Sequence, residues 1–150
     1  MNIADILIKL GLALLLGGAI GIEREISHKP AGFRTNVLIC LTSAMLMILS
    51  GLMSGPDSMM RIAAGIITGV GFLGAGAIIQ SRGSVHGLTT ASVIWAVAGL
   101  GIVIGAGYYA AATLFASIVV LTLIVFRKVE ALLNHHKDRD PHHDGHRNGR

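Results

Sequence analysis

Apolar residues in this chain run in long unbroken stretches, not in the alternating or one-faced patterns of soluble strands and helices. A helix needs about 20 mainly apolar residues to cross a bilayer core of roughly 30 Å. The stretches Ile3 to Ile22, Asn36 to Met53, Ile62 to Ile79, Leu88 to Gly105 and Tyr108 to Phe126 qualify, and the last stops at Arg127-Lys128. Asp5 and Lys9 form an i, i+4 pair near the start of the first. Pro30-Ala31-Gly32 breaks the chain before the second. No charged residue occurs from Leu88 to Phe126, a stretch about twice as long as one crossing requires. The only turn-like segment inside it is Gly105-Ala106-Gly107, followed by Tyr108-Tyr109, and tyrosine favours the membrane interface. The pattern predicts an all-α membrane protein: a bundle of about five transmembrane helices over residues 1–128, then a polar, disordered tail over 129–150.

The basic residues give that bundle a direction. Five crossings place Arg24, Lys29, Arg34, Arg82, Arg127 and Lys128 on one side, and Lys9 and Arg61 on the other. The positive-inside rule then predicts an external N-terminus and a cytoplasmic C-terminus. A secretory signal needs a basic region before its apolar stretch. Here the basic cluster follows the first stretch, so the first helix is expected to be retained.

Composition agrees with a lipid environment. Hydrophobic residues make up 53% of the chain and charged residues 13%, with 20 Gly in 150 residues. A soluble domain carries about 25% charged residues and about 7% Gly. The net charge of +4 sits at the ends of the apolar runs and in the tail. Without a basic helix or aromatic platform, nucleic-acid binding is not expected. Cys40 is the only cysteine, lies inside an apolar run and reads as small core filling.

Gly69-x-Gly71-x-x-Gly74 spells the dinucleotide fingerprint, but that motif needs a preceding strand and an acidic residue about 20 positions on. No Asp or Glu occurs between Asp57 and Glu130. These glycines read instead as helix-packing residues. So do the small-xxx-small pairs Gly17/Gly21, Gly65/Gly69 and Gly101/Gly105, together with Gly76. They serve contacts within one chain, with other membrane proteins or in a homo-oligomer.

The charged segment Glu23-Arg24-Glu25 through Arg34-Thr35 is expected to form an ordered polar cluster with Thr89 and Thr90 at the cytoplasmic mouth. Arg24 and Arg34 are expected to pair with Glu23 or Glu25. The two threonines, at a helix start, are also suited to capping free backbone N–H groups. His86 reads as interfacial, and Trp95 requires a partner for its N–H if buried. In the tail, His135, His136, His142, His143 and His146 are weak candidates for loose transition-metal binding, since imidazole suits such ions. They lack the spacing of a closed zinc site. No cofactor is expected, and no nucleophile–base pair or carboxylate pair can be assembled from the spans, so an enzyme is not expected.

Taken together, these stretches resemble the MgtC/SapB family of bacterial membrane proteins. The matching residues are Gly17-Gly18-Ala19-Ile20-Gly21-x-Glu23-Arg24, Ala31-Gly32-x-Arg34-Thr35, Arg61-Ile62-Ala63-Ala64 and Gly69-Val70-Gly71-Phe72-Leu73-Gly74-Ala75-Gly76. Gly87-Leu88-Thr89-Thr90-Ala91 with Trp95, then Gly101, Gly105 and Gly107, complete the pattern. The chain looks like a short form, because longer members carry a folded cytoplasmic domain after the last helix. The resemblance implies a multi-pass protein of the bacterial cytoplasmic membrane tied to adaptation to low magnesium and, in pathogens, to survival in the host. It favours an accessory or regulatory role acting through other membrane proteins. The alternative is a transporter or channel for Mg²⁺ or another cation. Against that alternative, Mg²⁺ is usually bound through carboxylates, and Asp5, Glu23, Glu25 and Asp57 all sit near membrane boundaries.

Overall fold

Each apolar stretch forms a helix in the computed structural model, which describes residues 2–53, 56–81 and 84–137. The helices are α1 (Ile3–Ile26), α2 (Phe33–Leu52), α3 (Pro56–Gly76), α4 (Leu88–Gly105) and α5 (Tyr109–Lys137). All five are long and apolar enough to cross a membrane. Between α3 and α4 lies a two-stranded antiparallel hairpin, β1 (Ile79–Ser81) and β2 (Ser84–His86), which pairs Ile79 with His86 and Ser81 with Ser84.

Helix ends are closed mainly by backbone geometry. α1 ends with the His28 N–H bonded to the Glu25 carbonyl and the Lys29 N–H to the Arg24 carbonyl. α4 ends in the same way, with Gly107 bonded to Ile104 and Tyr108 to Val103. This double bond pattern satisfies carbonyls that the helix leaves free, and it needs a left-handed residue just past the end. Gly107 takes that conformation freely at φ 92°, and the predicted tight turn between the last two helices forms there. At the end of α1 the same place is held by His28 at φ 50°. At the end of α2, Ser58 Oγ donates to the carbonyls of Ser50 and Met53, both at 3.0 Å, and stitches α3 to α2.

The third and fifth helices end elsewhere than expected. The third helix stops at Gly76, and Ile79 instead begins β1. Gly87, at φ 89°, sits so close to the Ala77 carbonyl oxygen that a Cβ would collide with it. The chain therefore leaves α3 and returns to the same point before α4, which the hairpin allows and a continued helix does not. The fifth helix runs through Lys137, so residues 129–137 are helical, not a disordered tail. Val129 to Leu133 are good helix formers apart from one valine, and a helix past the bilayer edge needs no apolar face to persist. Residues 138–150 lie outside the described residues.

Burial ranks the helices. Half of the α4 span and 44% of the α2 span are buried, against 11% for α3 and for α5. α2 is the central rod, flanked by α1 and α4, with α3 against α2 and α4, and α5 against α1 and α4. Ala13, Ile20, Cys40, Ala44, Val97, Leu100 and Ile104 are fully buried where these helices meet. The large apolar side chains of α1, α3 and α5 point outward, including Leu7, Phe72 and Leu121. Water would not tolerate such a surface, whereas lipid is its natural solvent.

The helix-packing glycines divide into two groups. A Cβ on Gly17 would come within 2.7 Å of Cys40 Cβ, and one on Gly21 within 2.7 Å of Phe33 Cα. On α4, a Cβ at Gly101 would strike the Cys40 carbonyl and Ser43, and one at Gly105 would approach Met47 Cβ to 2.5 Å. Gly65, Gly69, Gly71 and Gly76, expected to pack in the same way, have nothing within 4 Å of an added Cβ, and Gly74 has ordinary contact with Ala91 at 3.7 Å. The spacing is the same on all these helices. The difference is that α2 packs directly against the glycines of α1 and α4, while no described helix covers the α3 stripe.

This division has a direct consequence for stability. Gly101→Ala is expected to destabilise the detergent-solubilised protein by about 1–3 kcal/mol through overpacking. Gly65→Ala, in open space, should be neutral or stabilising by about 0.5–1 kcal/mol. Thermal unfolding of both variants checks this, and equal losses would show that α2 and α4 do not approach as closely as described.

Candidate functional site

The last turn of α1 carries two charged residues into the bundle. Glu23 and Arg24 are buried, with 8% and 4% of their surface exposed. Successive helical residues point about 100° apart, so the two side chains meet different neighbours. Arg24 Nη2 donates to Thr90 Oγ1 on α4 at 2.9 Å and to the Pro30 carbonyl at 3.4 Å. Glu23 Oε1 accepts from Ser27 Oγ at 2.6 Å and faces Arg127 Nη1 of α5 at 3.4 Å. Arg127 also donates to Ser27 Oγ.

The turn into α2 is built from the same segment. Gly32, at the start of α2, has no side chain with which to cap the helix. Glu25 Oε2 takes over that task by accepting from the Phe33 N–H at 3.1 Å. Asn36, fully buried, donates from Nδ2 to the carbonyls of Ala31 at 2.5 Å and Gly32 at 2.9 Å. Ala31, like His28, holds a left-handed backbone, at φ 56°. A non-glycine residue pays roughly 1–2 kcal/mol for that conformation. Two such residues in one turn indicate a loop held in place by its surroundings.

One polar lock thus joins α1, α2, α4 and α5 at a single end of the bundle. A charge in a low-dielectric site is costly unless paired and hydrogen-bonded. Glu23 meets both conditions through Arg127 of α5, while Arg24 is hydrogen-bonded to Thr90 of α4 without an ion pair among the described residues. Glu23 Oε2, Arg24 Nε and Asn36 Oδ1 are buried without a hydrogen-bond partner among the described residues, so the lock retains unused polar capacity. The opposite end has a smaller tie, in which Asp5 pairs with Lys9 at 3.1 Å and accepts from the Tyr109 hydroxyl at 2.9 Å.

Of the residues expected in the cluster, the structure brings together Glu23, Arg24 and Thr90. Arg34 and Thr35, in the first turn of α2, are exposed, and Asn36 is the residue of that turn that faces inward. Thr89 is exposed because its neighbour Thr90 faces α1, and adjacent helical residues cannot share one direction. Neither threonine caps α4, whose start has no side-chain cap; Thr90 accepts from Arg24 instead. Glu23 pairs with Arg127 in place of Arg24 or Arg34, and Glu25 serves the α2 backbone. Sequence reasoning missed Ser27, Asn36 and Arg127. Asn36 had a visible signal, as an amide at the head of an apolar run, and Ser27 stands one helical turn beyond Glu23. Arg127 had none beyond marking the end of the last span. Trp95 is exposed on the outer surface, and His86 is exposed with Nε2 2.8 Å from Ser84 Oγ. Among the described residues no three His, Cys, Asp or Glu gather to hold a metal ion. The side chains of His135 and His136, and all of His142, His143 and His146, lie outside the described residues.

Five apolar helices tied at one end by a buried charged lock define a multi-pass membrane protein. The profile of the MgtC family matches residues 10–132, and the chain belongs to that family. It is 44% identical to Protein SapB of Bacillus subtilis (strain 168) over 133 residues, covering 81% of this chain and 55% of that protein. It is 46% identical to Protein MgtC of Brucella abortus (strain 2308) over 106 residues, covering 69% of this chain and 44% of that one. With Protein MgtC of Salmonella typhimurium (strain LT2) the identity is 42% over 122 residues, covering 81% and 52%. The chain therefore spans about half the length of these curated relatives. No solved structure matches it.

The lock separates two adjacent threonines by their effect. Thr90→Val removes an acceptor from a buried guanidinium and should cost about 1.5–3 kcal/mol. Thr89→Val should stay within about 0.5 kcal/mol of the parent. Unfolding in mixed detergent micelles measures both. Equal responses would contradict the pairing of Arg24 with Thr90.

Proposed function

We propose that this chain is a non-enzymatic accessory protein of the bacterial cytoplasmic membrane that takes part in adaptation to low magnesium by contacting other membrane proteins. The observation that carries this reading is the contrast between a filled centre and an open flank. Ile20, Cys40, Ala44, Val97, Leu100 and Ile104 close the space between α1, α2 and α4 with fully buried side chains. On α3, by contrast, Ala64, Thr68, Gly71 and Ala75 are all exposed at the i, i+4, i+7, i+11 spacing of one helical stripe. Thr68 returns its hydroxyl to the Ala64 carbonyl at 2.9 Å, which leaves the stripe smooth and without an unmet donor. Small residues in that arrangement let a second membrane helix approach closely.

The family supports the link to magnesium, since relatives named MgtC match most of this chain. Charge supports a placement of the termini. The locked end gathers Arg24, Lys29, Arg34, Arg127 and Lys128, which the positive-inside rule assigns to the cytoplasm, with the N-terminus outside. A transporter of Mg²⁺ or another cation requires a route through the bundle, and the filled centre favours the accessory reading.

Two measurements test it. Crosslinking in native bacterial membranes is expected to recover defined partners, with capture lost on Gly71→Leu while thermal stability is kept. Sealed liposomes containing the purified protein should pass Mg²⁺ no faster than liposomes with a scrambled-helix control. Partner capture unaffected by Gly71→Leu, or flux above the control, would overturn the proposal.

A further inference from the structure

A second feature of α3 lies on another side of the helix. Between α2 and α3 a groove of about 630 Å³ opens sideways, and none of Ala64, Thr68, Gly71 or Ala75 lines it. Its walls are apolar, with Leu38 and Leu46 on α2 and Leu73 on α3. Gly65 and Gly69 also line it, and a Cβ on either would meet nothing within 4 Å. The groove is therefore deep because these two residues lack side chains.

One end carries Arg61, the single charged residue in the lining. Arg61 is exposed and makes no ion pair or hydrogen bond among the described residues. It stands in the second turn of α3, close to the polar start at Asp57 and Ser58, where a long side chain reaches the headgroup level. A guanidinium there matches a phosphate in charge and in its forked hydrogen-bonding geometry.

The length of the groove selects among occupants. From Arg61 to Leu73 the helix advances about 18 Å at 1.5 Å per residue. One leaflet of a bilayer has a hydrocarbon depth of about 15 Å, half the core. A partner helix would use the whole thickness and would leave the lone cation facing nothing. An amphiphile with an anionic head and one chain of leaflet depth satisfies both ends. We infer that the α2–α3 groove binds one anionic phospholipid, with its phosphate on Arg61 and an acyl chain lying over Gly65 and Gly69. The inference goes beyond the proposed function and does not rest on it.

Native mass spectrometry of the purified full chain, equilibrated with equal amounts of phosphatidylglycerol and phosphatidylcholine, provides the test. One phosphatidylglycerol is expected to stay bound, with a preference of about fivefold over phosphatidylcholine, whose choline cancels the charge of the phosphate that both lipids carry, the scale of one basic side chain facing anionic lipid. Arg61→Gln should reduce that preference to near parity. Gly69→Leu, which fills the groove, should remove retained lipid of both kinds, while Gly71→Leu should behave as the parent. Circular dichroism confirms that each variant is folded, and the headgroup preference of the unaltered chain needs no variant. The inference fails if the unaltered chain shows no preference, if the preference survives Arg61→Gln, or if Gly69→Leu retains lipid normally. It also fails if Gly69→Leu abolishes a dimer, because a second copy would then be the occupant.

Discussion

The close seating of α2 between α1 and α4 is the constraint on which the rest of this bundle depends. Inside lipid, apolar side chains gain nothing by leaving the solvent, so helices associate through contact at short range. Dispersion falls off steeply with separation, and a gap of even half an ångström forfeits a good part of it. Glycines at 17, 21, 101 and 105 remove the side chains that would hold the rods apart. Cys40 takes the space from both sides, with its Cβ facing Gly17 and its carbonyl facing Gly101. One residue of α2 thereby fixes the distance to two neighbours.

Close seating sets the distance between the rods but does not fix their register, because smooth small-residue faces can slide. The polar lock supplies the missing coordinate. Glu23 and Arg24 are adjacent in sequence yet engage different helices, α5 through Arg127 and α4 through Thr90. A shift of α1 by one residue would exchange those directions and leave two charges buried without partners. Breaking a buried pair costs about 3–5 kcal/mol, so the lock selects one register from several that packing alone would accept. Glu25 and Asn36 extend the same logic to the start of α2, where a glycine cap and two left-handed residues would otherwise leave the turn poorly held.

Much of this was legible in the chain itself, for physical reasons that also explain what was not. The five spans were readable because lipid imposes a length and an apolar composition that few other structures share. The turn at Gly107 was readable because a left-handed residue between two uncharged runs calls for glycine. The hairpin from Ile79 to His86 was hidden, since three-residue strands carry too little pattern and their cause is a contact between Gly87 and Ala77 across the turn. Thr89 and Thr90 could not be told apart, because the choice depends on the rotation of α4, which its almost uniformly apolar surface does not reveal. Arg127 and Glu23 stand 104 positions apart, and only the fold shows that they meet.

The α3 glycines pose a different problem from those on α1 and α4. Within an ordinary helix a glycine costs roughly 0.5–1 kcal/mol relative to alanine. At Gly17 and Gly101 that cost is offset by contact with α2. At Gly65, Gly69 and Gly71 no contact within the described residues offsets it. Those glycines point in two directions, Gly65 and Gly69 into a groove with an arginine at its end, and Gly71 onto a smooth stripe beside Ala75 and Thr68. A single occupant of helical width could not fill a groove of leaflet depth and also lie flat along the stripe. The two surfaces on this lightly held helix therefore differ in both shape and charge. Both surfaces lie on α3, one of the two helices with the smallest buried share, where the least of the fold's own packing is at stake.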